Sequence, residues 1–186
     1  CKLDAFFYID IGCFDPIKYS NTYYLYKRNG KGICIDPQKK FAKKFKKKRP
    51  KDLFINKSVS NKKQETLYLF KHNIITTTSE DEKKIYEKLG YKLKKVEPVN
   101  SIDINSILAM ANQKIDFINI DCEGNEFEIL KDINFDKYKP LIICIETIDP
   151  ITSNKSKIYN KIVKFMEKNN YEILADTIVN TIFIKK

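Results

Sequence analysis

Short apolar runs alternate with amphipathic stretches along this 186-residue chain, and four of the runs end in a carboxylate. Runs of this length and composition are typical of buried strands. The four strands are predicted at residues 5–10, 33–36, 115–120 and 141–145, and the carboxylates at their ends are Asp10, Asp36, Asp121 and Glu146. Ligands of parallel α/β sheets bind beyond the carboxyl ends of the strands. We therefore expect the four acids to meet at one ligand site.

The segments between these strands show helical spacing or β-type alternation. Helices are predicted at residues 23–28, 39–49, 80–89, 102–110, 124–130 and 156–168. Further strands are predicted at residues 53–59, 65–70, 91–99, 171–175 and 181–184. Alternating β and α segments predict a single α/β domain over residues 1–186, with a mostly parallel sheet, helices on both faces and a C-terminal antiparallel hairpin. We leave open whether further N-terminal elements precede it.

Composition supports a globular domain, since 42% of the residues are hydrophobic and 12% are aromatic. No apolar run approaches the ~20 residues that cross a bilayer, and no signal peptide is apparent, so we expect a cytoplasmic protein without a transmembrane segment. Five cysteines without CxxC spacing and a single histidine, His72, argue against a disulfide framework and against a histidine-rich metal site.

A net charge of +11 raises the question of a polyanionic partner. The excess is almost entirely lysine, because Arg28 and Arg49 are the only arginines. Bidentate recognition of phosphates and bases favours arginine, so we expect no nucleic-acid partner. We attribute the charge mainly to the codon usage of an AT-rich genome, which would favour lysine together with Ile, Asn, Tyr and Phe, and the alternative is an anionic substrate or membrane surface. The lysines of 39–49 are interpreted as the solvated side of a helix whose apolar stripe contains Phe41 and Phe45, and the alternative is a polyanion site.

The turn after the first strand separates the nucleotide cofactors. A dinucleotide fingerprint needs three glycines, but Phe14 and Ile17 stand where the second and third would follow Gly12. The sequence also contains no P-loop motif. S-adenosylmethionine carries no phosphate, and its sulfonium and ammonium groups are cationic, so nearby acids such as Asp10 would stabilise it. Asp36 is then placed to accept hydrogen bonds from both ribose hydroxyls.

With this turn included, the chain resembles the FkbM family of S-adenosylmethionine-dependent methyltransferases over nearly its full length. The resemblance is carried by residues 10–12, 20–23, 32–37, 58–60, 99–102, 115–126 and 140–146. The most distinctive block is Asp121-Cys122-Glu123-Gly124-Asn125-Glu126, which matches the family's D-x-E-G-x-E element. One departure is Asp15-Pro16, where many members have a further glycine.

The resemblance implies a class I Rossmann-like methyltransferase fold with S-adenosylmethionine at the carboxyl edge of the sheet. It implies that Asp10 and Gly12 border the methionine and sulfonium portion, that Asp36 holds the ribose, and that Ser58 lies beside the adenine. Thr22 would help to bind the cofactor's carboxylate, although a simple helix cap explains it equally well.

Asp121 and Glu123 follow the strand predicted at residues 115–120, beside the expected transfer point. Either is a candidate general base for a hydroxyl acceptor. Together with Glu146 they could instead ligate Mg²⁺, or Glu123 could merely cap the next helix and pair with a lysine. His72 is a further candidate base if the segment 65–79 folds over the site.

The resulting expectation is an O-methyltransferase that acts on a sugar or glycan precursor of the surface-polysaccharide type. The acceptor would be a small molecule or glycan, and it could be anionic. One alternative is a polyanion-binding module that has lost catalysis, against which the intact Asp10, Gly12, Asp36 and Asp121 argue. Another is a nicotinamide-dependent oxidoreductase, which Phe14 disfavours. No feature of the sequence indicates an oligomeric state.

Overall fold

The chain forms an α/β structure with two sheets and six α-helices in the described residues. A computed structural model describes residues 6–72, 74–149 and 151–186. The strands are β1 (Phe7–Ile11), β2 (Lys31–Ile35), β3 (Leu53–Ile55), β4 (Ser58–Val59), β5 (Gln64–Phe70), β6 (Thr76–Thr77), β7 (Leu93–Ile102), β8 (Phe117–Ile120), β9 (Ile142–Glu146), β10 (Tyr171–Asp176) and β11 (Asn180–Lys185). The helices are α1 (Tyr23–Lys27), α2 (Ala42–Lys48), α3 (Glu80–Lys88), α4 (Ile104–Ala109), α5 (Glu126–Asp132) and α6 (Tyr159–Lys168), and a 3₁₀ turn (Lys39–Phe41) leads into α2.

The main sheet has seven strands in the order β10-β11-β9-β8-β1-β2-β3. The five strands from β9 to β3 are parallel, and β11 runs antiparallel to both of its neighbours. The C-terminal strands thus pair in the antiparallel sense that the sequence predicted. The chain proceeds from β1 to β2 on one side, and β8 flanks β1 on the other. This reversal of strand order creates a crevice at the carboxyl ends of β1 and β8, where such sheets bind ligands.

Helices cover both faces of this sheet. Residues of a strand point alternately to opposite faces, so each central strand contributes side chains to both layers. On one face, Phe7, Ile9 and Ile11 of β1 join the apolar side chains of α4, α5 and α6 in one buried cluster. On the other face, Tyr8 and Cys34 pack with residues of α1 and α2. None of the helices in the described part of the chain is both long and apolar enough to span a membrane.

A second, four-stranded sheet has the order β4-β7-β5-β6. β7 pairs in parallel with β4 and antiparallel with β5, while β5 pairs antiparallel with β6. Phe70 of β5 and Tyr86 of α3 pack edge to face with ring centroids 5.6 Å apart. This sheet and α3 form a cover unit beside the carboxyl edge of the main sheet. The sequence predicted strands at residues 65–70 and 91–99, which correspond to β5 and β7, but it predicted neither β6 nor a separate sheet.

Several predicted boundaries differ from the observed ones by two or three residues, and two of the differences have a clear structural cause. Residues 53–59 are not one strand, since β3 belongs to the main sheet and β4 to the second. The break occurs where Asn56 turns its side-chain amide to the Asp36 carbonyl oxygen, at 3.0 Å. The helix predicted from residue 102 begins at Ile104, because β7 continues through Ile102 and the Asp103 carboxylate caps the helix by accepting from the Ser106 N–H at 2.9 Å. Residue 5, the start of the first predicted strand, lies outside the described residues.

Candidate active site

The turn after β1 is held tightly between two neighbouring strands. Gly12 has a φ of +76°, and its N–H donates to the Ile35 carbonyl oxygen at 2.9 Å. A Cβ atom at this position would lie 1.6 Å from the Asp121 carbonyl oxygen. Only glycine therefore allows the ends of β1, β2 and β8 to meet in this way.

Replacing Gly12 with alanine should destabilise the protein and disrupt the site. The new methyl group collides with backbone and adds the cost of a left-handed conformation, about 1–2 kcal/mol. Gly90→Ala is the matched control, because Gly90 also has a positive φ, of +87°, but has no atom within 4 Å of its would-be Cβ. Chemical denaturation of both variants measures the difference. Equal losses in the two variants would show that contact with Asp121 imposes no constraint.

A pocket opens at this edge of the sheet. Gly12, Asp36 and Asp121 line it from the ends of β1, β2 and β8, and Thr77 and Thr78 line it from the cover unit. Gly12, Asp36, Ser58, Asp121 and Glu123 are thus brought together as sequence-predicted site residues.

Asp36 is buried and organises two loops of the pocket. Its carboxylate accepts from the Gln38 N–H at 2.7 Å and from the Phe14 N–H at 3.1 Å. Burial raises the pKa of Asp36 to about 7, against the lowering effect of these two hydrogen bonds. Each carboxylate oxygen can accept more than one hydrogen bond. Both oxygens therefore retain capacity for a ligand that offers two hydroxyl donors.

Two buried polar atoms of the pocket wall lack a hydrogen-bond partner in the described structure. They are the Ser58 hydroxyl oxygen and the Gln38 side-chain oxygen Oε1. Buried polar groups are nearly always paired in native proteins. Both atoms are therefore open to a hydrogen bond with water or with a polar ligand in the pocket. Gln38 is a residue that the sequence analysis missed, although it follows the Asp36-Pro37 pair directly.

The loop after β8 is shaped by its own acidic motif. Glu123 has a φ of +60° and Gly124 one of +111°, so the chain turns sharply between β8 and α5. The Glu126 carboxylate accepts from the N–H groups of Cys122 at 2.9 Å and of Gly124 at 3.1 Å. Glu126 thus fixes the backbone of the loop through these hydrogen bonds. Asp121 and Glu123, which belong to the same loop, line the pocket.

Asp121, Glu123 and Glu146 form a cluster of three carboxyl groups. One oxygen of each lies within 4.8 Å of those of the other two. Burial raises the pKa of Asp121 and of Glu123 to about 7, and neighbouring acids add to the effect. Burial, followed by the charges of Asp121 and Glu123, raises the pKa of Glu146 to about 11. Burial and the neighbouring acids thus favour the protonated form of Glu146.

The cover unit supplies two contacts to Glu123. The Tyr86 hydroxyl of α3 donates to the Glu123 carboxylate, and the Thr77 hydroxyl donates to its backbone carbonyl oxygen at 2.6 Å. Glu123 makes no ion pair with a lysine among the described residues, and Glu126 fills the loop-capping role. Tyr86 could not be predicted, since its contact depends on how the second sheet places α3.

Asp10 and Thr22 lie behind the pocket, not in its lining. The Asp10 carboxylate accepts from the Thr22 hydroxyl at 2.5 Å and from the Asn119 side-chain amide at 3.0 Å. Thr22 in turn accepts from the buried Arg49 guanidinium at 2.9 Å, which is paired with Asp52 at 2.5 Å. Thr22 therefore stands at the start of α1 without capping it. This arrangement gives both residues a supporting role, and their direct cofactor contact stays a prediction.

His72 occupies an exposed position in the turn after β5. Its ring centroid lies 5.8 Å from that of Tyr91. His72 is not among the residues that line the pocket. The placement gives no support to a role as base.

The buried acids predict an unusual pH dependence of stability. The pKa values of Asp36, Asp121 and Glu123 are about 7 in the folded chain, above ordinary values of 3.8 for aspartate and 4.5 for glutamate. Between the ordinary pKa values and about pH 7, the folded state therefore binds more protons than the unfolded state. The free energy of unfolding should fall as pH rises through this range.

The expected loss of stability is on the order of a few kcal/mol between about pH 5 and pH 8. Urea denaturation at several pH values measures it. The Asp36→Asn and Glu123→Gln variants should show a shallower decline. A protein whose stability rises over this interval would contradict the raised pKa values.

The comparison with protein families gives one match that covers most of the chain. The sequence model of the methyltransferase FkbM domain matches residues 10–173. This range includes β1, the pocket-lining turns, the acidic loop after β8 and the start of β10. A comparison with curated protein sequences found no match.

Proposed function

This chain belongs to the FkbM methyltransferase family, and on that premise we propose that it is an S-adenosylmethionine-dependent O-methyltransferase for a sugar or glycan precursor. The observation that carries the proposal is the composition of the pocket. Asp36 and two unpartnered polar atoms line one part of it, and the acids Asp121 and Glu123 line another. The strand order of the main sheet supports a class I Rossmann-like arrangement.

The residues present fit the chemistry of S-adenosylmethionine. Asp36 would accept from the ribose hydroxyls, and the unpartnered atoms of Ser58 and Gln38 would face the adenine end. Gly12 leaves the turn after β1 without a side chain, so that backbone can approach the methionine portion. The carboxylates nearby match a ligand with cationic groups. The bound cofactor would supply an activated methyl group.

The pocket disfavours a nicotinamide dinucleotide. Phe14 lines the pocket where the pyrophosphate would need a glycine. Its φ is +47°, and its N–H is already bonded to the Asp36 carboxylate. The acids at this edge would also repel a pyrophosphate.

At the other part of the pocket, the protein's own groups can activate a hydroxyl acceptor. A general base works best when its pKa lies near the working pH, and the pKa values of Asp121 and Glu123 are raised to about 7. Tyr86 orients Glu123 through its hydroxyl. We propose that one of these two carboxylates takes the acceptor's proton, and that Glu146 holds Asp121 in place.

Mg²⁺ is the alternative use of the same carboxylates. Three oxygens within 4.8 Å of one another suit a small divalent cation. A bound Mg²⁺ would offset the mutual repulsion of these carboxylates, which contributes to the raised pKa of Glu146. The effect of chelation on activity distinguishes the two roles.

The charge of the pocket also restricts the acceptor. The carboxylates of Asp121 and Glu123, when ionised, would repel an anionic group at the transfer point. We therefore propose a neutral hydroxyl as the methylated group. Any phosphate of the acceptor would lie toward the rim, where Lys57 contributes a positive charge to the pocket wall.

A methyl-transfer screen tests the proposed function. The purified chain is incubated with S-adenosylmethionine carrying a labelled methyl group and a panel of nucleotide sugars and free glycans. Transfer of label to a hydroxyl of at least one panel member is expected. Transfer to amines or carboxylates only, with no hydroxyl labelled across the panel, would contradict the proposed acceptor class.

A further inference from the structure

The positive charge of the chain is concentrated in one segment. Residues 37–51 contain nine of the 35 basic residues and none of the 24 acidic ones, so all the remaining residues together carry a net charge of only +2. A lysine-rich composition alone would distribute the charge along the chain. The segment corresponds to the 3₁₀ turn, α2 and the residues that flank them.

The lysines of this segment point away from the core. Phe41 of the 3₁₀ turn and Phe45 of α2 pack into the core, with 2% and 1% of their surfaces exposed. Arg49 also points inward and is neutralised by Asp52. The exposed lysines are Lys39, Lys40, Lys43, Lys44, Lys46, Lys47, Lys48 and Lys51. Within the described part of the chain, Lys44 is the one member of this set that forms an ion pair, with Asp15 at 2.8 Å.

An exposed turn with apolar and aromatic side chains lies beside these lysines. Ile17 is 39% exposed and Tyr19 is 77% exposed. The ion pair of Lys44 with Asp15 holds the turn against α2, and so does the edge-on contact of the Phe14 and Phe41 rings, whose centroids are 4.7 Å apart. We call the eight lysines together with residues 17–19 the lysine face.

The lysine face adjoins the mouth of the pocket. Tyr19 belongs to both, since it also lines the pocket. Gln38, which precedes the first lysine of the segment, lines the pocket as well. A surface bound to the lysine face would therefore lie next to the pocket entrance.

We propose that the lysine face docks the protein on an anionic lipid bilayer. Clusters of four to eight basic residues on an amphipathic helix suit anionic headgroups, and exposed apolar and aromatic side chains enter the interfacial layer. Duplex nucleic acid fits less well, because the exposed charges of the lysine face are all lysine, whereas bidentate recognition of base edges favours arginine. The apolar side of α2 is already used by the core, so binding occurs at headgroup depth and is reversible.

Co-sedimentation of the full chain with vesicles tests this inference independently of catalysis. Binding is expected to vesicles of phosphatidylcholine with phosphatidylglycerol, and not to vesicles of phosphatidylcholine alone. Binding should weaken as salt is raised, since salt screens surface charge. Replacing exposed Ile17 with serine should weaken binding further at a given salt concentration.

A triple variant locates the surface. Lys43, Lys46 and Lys47 share one side of α2, and each lysine near an anionic surface contributes about fivefold in binding. The K43Q/K46Q/K47Q variant should therefore bind about a hundredfold more weakly. The matched control is K157Q/K164Q/K168Q, which removes the same charge at or near α6, on the opposite face of the sheet. It should bind nearly as the unmodified chain does.

Three outcomes would overturn the inference. They are absence of binding to anionic vesicles, equal losses in the two triple variants, and tighter binding to duplex DNA or RNA than to anionic vesicles under the same salt conditions. The proposed methyl transfer would be untouched by any of them.

Discussion

Asp121→Asn and Glu123→Gln should each lower turnover while leaving the affinity for S-adenosylmethionine nearly unchanged. An amide preserves the shape of the carboxylate but cannot take up a proton and is a poor ligand for Mg²⁺. A general base contributes about 10²–10⁴-fold in rate, so the variant that removes the base should lose at least the lower of these factors. Single-turnover kinetics with a proven acceptor, together with calorimetry of cofactor binding, measure the two effects separately.

The control and the metal test use the same assay. Glu128→Gln removes an exposed acid of α5 that pairs with Lys131, and should retain full turnover. A metal site loses activity on treatment with EDTA and regains it with Mg²⁺, whereas a base is indifferent to chelation. If both amide variants kept near-full turnover, neither carboxylate would be catalytic, and rate enhancement would have to come from proximity and orientation.

Asp36→Ala should lose most of the affinity for the cofactor. Each charge-assisted hydrogen bond to a ribose hydroxyl contributes about 1.5–3 kcal/mol, so loss of one bond weakens binding by roughly tenfold or more and loss of both by considerably more. The same change frees the Phe14 and Gln38 N–H groups that the carboxylate holds. Calorimetric titration with S-adenosylhomocysteine gives the affinity.

Asp36→Asn separates ligand contact from loop structure, because the amide oxygen can still accept one of the two loop hydrogen bonds. Its affinity should lie between those of the alanine variant and the unmodified chain. Asp81→Ala is the control, since the side chain of Asp81 is 92% exposed. Unchanged affinity in a folded Asp36→Ala protein would show that Asp36 does not hold the ribose.

The core of the fold was predictable because its elements carry their own signals. The strands β1, β2, β8 and β9 are apolar runs with a fixed side-chain alternation, and each has its acid at or next to its carboxyl end. The second sheet was not predictable, because β4 and β6 have only two residues each. Their pairing depends on contacts between residues distant in sequence, which no local pattern encodes.

The candidate site likewise contains residues that local sequence patterns predict and residues whose positions depend on tertiary contacts. The ends of β1, β2 and β8 brought Gly12, Asp36 and Asp121 to one pocket, as the sequence predicted. The position of Asp10 behind the pocket follows from side-chain alternation in β1 and from the buried Arg49 network, which needs the tertiary structure. Tyr86 likewise reaches Glu123 only through the packing of α3.

Calorimetric titration of the unmodified chain tests the central claim most directly. The pocket geometry predicts that S-adenosylmethionine and S-adenosylhomocysteine bind with one site per chain and that NAD does not bind. Binding of NAD without binding of either S-adenosyl compound would contradict the assignment of the pocket.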